Sequence, residues 1–203
     1  MVLVDFQIRD HINKGNIKVT PFDDSLINPN SLDLRLGGNF STVEATYNYD
    51  STNIVKTKIN FNSSDFFDSF LNFKKYLDPL DKETFITKSY EGDVFYLEPN
   101  CMVIASLAED ITLPDFICAR VVGKSSLGRL GLDNSSVAGW VDANWSGVLT
   151  IELFNHSQNI IKLTKGMKIG QMIFLETEPC EKGYDKTGRY YKQQPGQGSK
   201  GVS

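Results

Sequence analysis

Residues 94–123 read VFYLEPNCMVIASLAEDITLPDFICARVVG and hold three short apolar segments separated by Pro, Asn and Asp. Segments of the same kind follow in GVLTIELF (147–154), IIKLT (160–164) and KIGQMIFLE (168–176). Short apolar runs at this spacing, bounded by turn-forming residues, are typical of all-β sandwiches and barrels. We therefore predict a mainly β fold with a few short helices.

The N-terminal part predicts one helix and then a strand. Asp5 can cap the helix, Ile8 and Ile12 share one of its faces, and Gly15 can close it. After the turn-rich PFDDSLINPNS, leucines alternate with polar residues in SLDLRLGG (31–38). A period of two predicts a half-buried strand.

Residues 41–90 are predicted to be an insertion. Thr, Val, Tyr and Ile within 42–61 favour a hairpin. Four large apolar residues then recur at helical spacing: Phe66, Phe70, Phe73 and Leu77. This second pattern predicts an amphipathic helix packed on a sheet, with a partner-binding helix as the alternative.

Composition excludes several classes of protein. The chain has 203 residues, a formal net charge of −4 and 40% hydrophobic residues, which is enough for a sizeable core. No apolar run approaches the ~18 residues of a membrane span, and the N-terminus has no signal-peptide pattern. The acidic balance argues against general nucleic-acid binding, and three dispersed cysteines make no disulfide framework. We expect a cytoplasmic protein with reduced thiols and no nucleic-acid or membrane partner.

The C-terminal residues differ from the rest. Residues 182–203 carry five basic residues and one acid, a net charge of +4, so residues 1–181 carry −8 of the total of −4. Tyr184, Tyr190 and Tyr191 are unusual in a linker. We predict a β domain over residues 1–181, followed by a mobile basic arm over 182–203 that closes over a polyanionic ligand. A disordered, solubilising tail is the alternative.

Two familiar catalytic motifs can be excluded. The GKS at 123–125 resembles part of a P-loop, but the first glycine of that motif would fall on Cys118. A zinc nucleoside deaminase needs HxE and PCxxC, and neither His11, His156 nor any pair of cysteines fits. The spacing therefore predicts neither a zinc site nor another metal site in the protein.

The segment GKSS, residues 123–126, follows a predicted strand and precedes one or two predicted helical turns in SLGRLGL. Backbone N–H groups at such a start, two hydroxyls and the Lys124 ammonium suit a phosphate group. Because serine is also a favoured N-cap residue, a capped helix without a ligand is the alternative.

Glu152 lies in the middle of the predicted strand at 148–154, among apolar neighbours. A carboxylate in such a place is costly unless it is paired or does chemistry. Desolvation would raise its pKa, as a general acid–base residue requires. A structural pair with an arginine is the alternative. Asp142, ten residues earlier, lies on a predicted turn.

Taken together, an ordered series of segments resembles the dCTP deaminases, part of the dUTPase-like superfamily. The segments are the N-terminal 37 residues, which end in SLDLRLG, and then LEPNCMVIASLAEDITLPD, GKSSLGRLGL, AGWVDANWSGVLTIELFN, GMKIGQMIF and RYYKQQPGQGS. The resemblance covers most of the chain, while residues 41–90 match poorly. It implies a homotrimer of distorted jelly rolls, or dUTPase-like β-barrels, with sites between subunits.

The resemblance assigns site residues by position. Glu152 matches the catalytic glutamate, which would take a proton from water so that hydroxide attacks C4 of cytosine. Ser125 and Arg129 match residues that hold the water and the base, and Asp142 matches the aspartate under the deoxyribose 3′-hydroxyl. The predicted nucleotide-binding residues are Lys124, Ser125, Ser126, Leu127, Gly128, Arg129, Ala138, Asp142, Thr150, Ile151, Glu152, Gln171, Tyr184, Arg189 and Gln193.

Three positions depart from the usual residue. Lys124 replaces an arginine, which removes the planar fork for phosphate. Arg189 stands where lysine is usual. Asn144 replaces a glycine in the turn after Asp142, where asparagine tolerates a positive φ better than other residues.

Ala138, Gly139 and Trp140 resemble the bifunctional deaminase–dUTPases, whereas single-function bacterial enzymes show Ala-His-Arg there. This resemblance implies hydrolysis of dCTP to dUTP and ammonia, followed by cleavage to dUMP and pyrophosphate. It also implies Mg²⁺ carried on the triphosphate, and dTTP as a candidate inhibitor. The alternatives are a dUTPase alone, with Glu152 structural, and a catalytically weak nucleotide-binding regulatory protein.

Overall fold

A computed structural model describes residues 1–45, 85–135, 139–197 and 200. The chain divides into two compact units, residues 1–42 with 89–197 and residues 43–88 with 198–203. The helix predicted around Phe66–Leu77 and most of the predicted hairpin lie outside the described residues.

Short strands dominate the described fold. The strands are β1 (Lys18–Thr20), β2 (Ile27–Asn28), β3 (Ser31–Ala45), β4 (Phe85–Glu91), β5 (Val94–Leu97), β6 (Met102–Thr112), β7 (Ile117–Gly123), β8 (Leu132–Ser135), β9 (Trp140–Val141), β10 (Ser146–Asn155), β11 (Ile161–Thr164) and β12 (Lys168–Glu176). The helices are α1 (Asp5–Asn13), a 3₁₀ turn (Asp24–Leu26), α2 (Ser125–Gly128) and α3 (Tyr184–Thr187). The prediction of a mainly β fold with a few short helices is confirmed.

The main sheet joins strands that are distant in sequence. Its order is β8–β10–β6–β3–β12–β7–β9, and β1 adds to β6. Strands β5 and β11 form a separate two-stranded sheet. Neighbours such as β10 and β6, or β12 and β3, pair in antiparallel register. This order places segments from both ends of the chain beside one another.

The N-cap of helix α1 lies one residue earlier in the chain than the predicted cap, Asp5. Val4 is the N-cap residue, its N–H donates to Gln7 Oε1 at 3.1 Å, and Asp5 is the first helical residue. Ile8 is fully buried, as its position on the apolar face predicts. Gly15 has φ = +74°, the left-handed conformation in which glycine commonly ends a helix.

Strand β3 confirms the alternation read from SLDLRLGG. Leu32, Leu34 and Leu36 are fully buried. Asp33, between the first two leucines, is buried as well, at 3% exposure. The polar face predicted for this strand is therefore covered at Asp33, and its carboxylate needs partners inside the protein.

Irregular register shapes the sheet near β10. Pairing of β10 with β6 shifts between Val148 and Thr150, and pairing of β3 with β6 shifts between Leu36 and Phe40. Such bulges bend strands and redirect side chains. At Gly37, in the second bulge, a Cβ would lie 2.6 Å from Ser106 Oγ, so the two strands approach too closely for any other residue. Among the described residues, no helix is long and apolar enough to cross a membrane.

Candidate active site

Strand β10 carries Glu152 on a half-buried face. Ile151 and Leu153 point into the core, with exposures of 6% and 0%. Because side chains alternate along a strand, Thr150, Glu152 and Phe154 share the opposite face, and all three are half-buried. Glu152 therefore lies in mid-strand among apolar neighbours, as predicted, and its own face is half-buried.

The Glu152 carboxyl is desolvated and has no ion-pair partner within the described residues. Burial raises its pKa, and a hydrogen bond with its own backbone only partly opposes that rise. The buried glutamate that does pair with an arginine is Glu109, fully buried, whose Oε1 accepts from Arg35 Nε at 2.7 Å. The structural-pair interpretation thus describes Glu109, while Glu152 has the character of an acid–base residue.

The C-terminal segment packs beside this strand. The Val148 N–H donates to the Gln193 carbonyl at 3.0 Å, and the Lys192 N–H donates to the Ser146 carbonyl at 2.8 Å. Gln193 is 3% exposed, and its Nε2 donates to Thr150 Oγ1 at 3.1 Å. Gln193 and Thr150, both predicted nucleotide-binding residues, are thus in contact. The contact lies on the face of β10 that carries Glu152.

Helix α2 begins at Ser125 and contains the two serines of the GKSS segment. Lys124 is its N-cap residue and makes no side-chain cap, so neither serine takes the capping role. Ser125 and Arg129 are exposed, and Leu127 packs partly against the core. A cleft of about 530 Å³ opens beside the helix, lined by Arg120, Val122, Gly123, Lys124, Ser125, Gly128, Gly131, Leu132, Asp133, Asn134 and His156.

Strand β8, whose residues Leu132, Asp133 and Asn134 line this cleft, pairs with β10. In the β8–β10 pairing, Asp133 lies opposite Phe154, and the next pair on that face includes Glu152. Paired residues in an antiparallel ladder project to the same side. His156, which lines the cleft, has its ring 4.4 Å from that of Phe154. Asp133, which lines the cleft, therefore projects to the same side of the β8–β10 pair as Glu152.

Lys124 is held by a buried carboxylate. Its Nζ lies 2.6 Å from Asp33 Oδ1, and Lys168 Nζ lies 2.9 Å from Asp33 Oδ2. Burial by itself would raise the pKa of Asp33, but the hydrogen bonds from the two lysines outweigh it and hold that pKa below its usual range. Gln171, a predicted nucleotide-binding residue, lies directly opposite Asp33 in the β12–β3 pairing.

A second cleft gathers another group of predicted residues. It has a volume of about 310 Å³ and is lined by Cys118, Trp140, Asp142, Ala143, Cys180, Lys182, Tyr184 and Thr187. Trp140 is 56% exposed and donates from Nε1 to Asp142 Oδ1 at 3.0 Å, so within this chain it does not fill the core. Asn144 has φ = +63°, as predicted for the turn after Asp142.

The remaining predicted residues are scattered. Tyr184 begins α3 and its ring lies 5.1 Å from that of Trp145. Arg189 is exposed just after α3, and Gln171 is half-buried, accepting from Ser31 Oγ at 3.3 Å. Ala138 lies outside the described residues. One chain thus presents its predicted site as two clefts and the β10 face.

Five polar residues at these positions were not predicted from the sequence. Asp33 holds Lys124, while Arg120, Asp133, Asn134 and His156 line the larger cleft. Alternation with Leu32 and Leu34 places Asp33 on the predicted polar face of its strand, so no local pattern indicated its burial. The other four carry no signal either, since a lone polar residue on a strand or just after one is ordinarily solvent-facing. The described residues hold no group of three or more His, Cys, Asp or Glu side chains placed for a metal ion.

Comparisons with known proteins show the family to which the chain is similar. The family described as dCTP deaminase-like matches residues 2–177. A Methanoregula boonei protein named dCTP deaminase, dUMP-forming, is 38% identical over 189 residues, covering 92% of this chain and 88% of its own. A Streptomyces coelicolor protein of the same name is 37% identical over 202 residues, covering 97% and 92%.

Among solved structures, the 2′-deoxycytidine 5′-triphosphate deaminase of Agrobacterium tumefaciens superposes with a TM-score of 0.56 at 23% identity. The match covers 85% of this chain and 47% of that one, so this chain spans about half its length. At that identity the likeness shows a shared fold. With the family match over residues 2–177 and the two relatives above 30% identity, the chain belongs to the dCTP deaminase-like family.

Proposed function

We propose that the protein hydrolyses dCTP to dUTP and ammonia and cleaves the product to dUMP and pyrophosphate, which supplies dUMP for thymidylate synthesis. The observation that carries the proposal is Glu152: a desolvated carboxyl with a raised pKa and no ion pair within the described residues, on a strand that pairs with β8 at the edge of the α2 cleft. Relatives named as dUMP-forming dCTP deaminases support the two-step outcome.

In the first reaction Glu152 acts as the general base and acid. It takes a proton from water as the hydroxide attacks C4 of cytosine, and it passes this proton to ring nitrogen N3. It then takes the second water proton from the C4 hydroxyl and gives it to the amino group, which leaves as ammonia while the C4 carbonyl forms. Ser125 and Arg129 hold the water and the base. Thr150 flanks the cytosine edge from the same face of β10 as Glu152, and Ile151, whose side chain points into the core, does so through its backbone.

The nucleotide is held by residues on both sides of the base. The segment from Lys124 to Arg129 grips the phosphates, and Asp142 lies under the 3′-hydroxyl. Gln171, Tyr184, Arg189 and Gln193 close on the sugar, triphosphate and base. Mg²⁺ arrives as part of the substrate, bound to the triphosphate, and dTTP competes for the same site.

The second reaction needs a water in line with the α-phosphate. Gly139 leaves space for it, and Trp140 contributes no charge beside Asp142, which its indole N–H holds at 3.0 Å. A His-Arg pair at these positions would fill the space.

The complete site forms between subunits of a homotrimer, with the arm of residues 182–203 closing over the nucleotide. Support comes from the division of the site residues within one chain, where Asp142 and Tyr184 line one cleft and Lys124 and Ser125 line another. Closure of the arm would exclude bulk water from the reacting base.

The test is to incubate the protein with dCTP and Mg²⁺, separate the nucleotides by chromatography and measure ammonia. Ammonia together with dUMP and pyrophosphate is the expected result. Accumulation of dUTP alone would contradict the second step. Hydrolysis of added dUTP without deamination of dCTP would identify a dUTPase in which Glu152 is structural. If neither reaction occurs, the protein would be a nucleotide-binding regulator.

A further inference from the structure

The Asp33 carboxylate holds two ammonium groups at once. Lys124 Nζ lies 2.6 Å from one of its oxygens, and Lys168 Nζ lies 2.9 Å from the other. Asp33 is 3% exposed, so these two cations replace the water that a carboxylate would otherwise bind. One buried anion with two cations leaves one positive charge in excess.

The two lysines occupy different sides of this carboxylate. Lys124 is the N-cap residue of α2 and lines the 530 Å³ cleft. Lys168 begins β12, opposite Arg35 of β3, and its side chain is 48% exposed. Lys168 is not among the residues that line that cleft in the described part of the chain. Of the two lysines, Lys124 is therefore the one that faces this cleft within the described residues.

We propose that Lys168 is a positioning residue that frees Lys124 for the phosphates of the substrate. In the free protein Asp33 shares its charge between both lysines. When the triphosphate binds, the Lys124 ammonium moves to phosphate oxygens while Lys168 stays on Asp33 and keeps the buried carboxylate paired. The proposal rests on the proposed function, in which Lys124 grips the triphosphate.

Without Lys168 the same movement is unfavourable. Asp33 would then have Lys124 as its one remaining cation, and a buried carboxylate stripped of its partner is strongly destabilising. Lys124 would stay on Asp33, and the triphosphate would lose one charge-assisted hydrogen bond. The excess cation of the cluster thus makes Lys124 available, and affinity for the triphosphate depends on a residue outside the cleft.

The experiment compares Lys168→Met with Lys168→Arg and with Lys162→Met, which removes an exposed charge on β11. Affinity for dCTP is measured by calorimetry in a Glu152→Gln background, and kcat and KM are measured in the active protein. We expect Lys168→Met to weaken dCTP binding about 10- to 100-fold and to raise KM with kcat nearly unchanged. Lys168→Arg and Lys162→Met should bind as the wild type does.

Removing the charge of Asp33 separates this role from a merely structural one. In an Asp33→Asn background Lys124 is no longer held, so adding Lys168→Met should leave dCTP affinity within about twofold. Asp33→Asn alone should bind dCTP at least as tightly as the wild type, and this holds as a test even if Lys168→Met fails to fold. Wild-type affinity in Lys168→Met, or an equal loss in both backgrounds, overturns the proposal.

Failure of the proposed function gives a different result. A protein that binds dCTP but releases no ammonia would overturn deamination and leave the affinity comparison valid. A wild-type protein that binds no dCTP would overturn both.

Discussion

The side-chain amide of Gln193 donates a 3.1 Å hydrogen bond to the hydroxyl oxygen of Thr150, two residues before Glu152 on the same face of β10. Gln193 comes from the basic C-terminal segment, and its backbone carbonyl accepts from Val148 of the same strand. The contact joins the C-terminal segment to the strand that carries the proposed catalytic carboxyl. Changes to that segment should therefore affect chemistry at Glu152.

Replacing Glu152 with Gln should abolish deamination and preserve dCTP binding. Gln keeps the shape of the side chain but cannot accept a proton from water, and loss of such acid–base help costs about 10²- to 10⁴-fold or more where one residue serves several proton steps. The measurement is ammonia release under saturating dCTP, with affinity followed by calorimetry. Glu98→Gln, at an exposed position before Pro99, is the matched control. Unchanged ammonia release in Glu152→Gln would remove Glu152 from the mechanism.

Asp33→Asn should lower stability at neutral pH and lose that effect in acid. The folded pKa of Asp33 lies below its unfolded value, so ionised Asp33 stabilises the fold above about pH 4, and this contribution disappears as pH falls through the folded pKa. We expect Asp33→Asn to lower the free energy of unfolding by about 1–3 kcal/mol at pH 7, measured by urea titration. This difference from the wild type should become smaller below pH ~4.

Asp93→Asn is the control for the stability measurement. Asp93 is paired with Lys165 at 3.7 Å, but its side chain is 84% exposed, so its removal should change stability little at any pH. If Asp33→Asn lowers the free energy of unfolding equally at all pH values, the cause would be altered packing and not the loss of the ion pairs.

Removing residues 182–203 should leave the β domain folded and eliminate most activity. The segment supplies Tyr184, Arg189 and Gln193 to the proposed site and carries a net charge of +4 toward the triphosphate. Circular dichroism and turnover of dCTP measure the two effects separately. Wild-type turnover in the shortened protein would reduce the segment to a solubilising appendage.

A single substitution gives a finer version of this test. Gln193→Ala should lower kcat/KM about 10-fold or more, because it removes a buried amide that bonds Thr150. Gln194→Ala should have no effect, since Gln194 is exposed and its amide bonds the nearby Lys192 carbonyl.

Replacing Gly139 with His and Trp140 with Arg should reduce dUMP while sparing dUTP formation. The added side chains would occupy the space of the second water and disturb the 3.0 Å contact between the indole and Asp142. The measurement follows dUTP and dUMP separately after dCTP is added. Equal loss of both products would mean that the pair shapes the whole pocket.

The protein should form a homotrimer in solution. Light scattering at micromolar concentration should give three times the chain mass of 22.8 kDa. A monomer that deaminates dCTP at the wild-type rate would contradict the shared site.

The pattern of consecutive residues was sufficient to predict many of the strands and turns of this protein. The apolar segments between residues 94 and 176 form strands as predicted, because alternation of side chains along a strand is written into consecutive residues. Gly15 and Asn144 adopt the positive φ predicted for them, since backbone sterics act within one residue. The half-buried place of Glu152 in its strand follows from the same local alternation.

Tertiary pairing decided what the local pattern could not. Asp33 has the sequence character of a solvated strand residue, yet antiparallel pairing of β3 with β12 and the approach of α2 bury it between Lys168 and Lys124. The sequence likewise did not determine which glutamate is paired with an arginine. In the folded protein Arg35 forms an ion pair with Glu109, and Glu152 has no cationic partner among the described residues. Charges 74 or 91 residues apart meet only when the sheet order is set, and that order depends on the packing of the whole core.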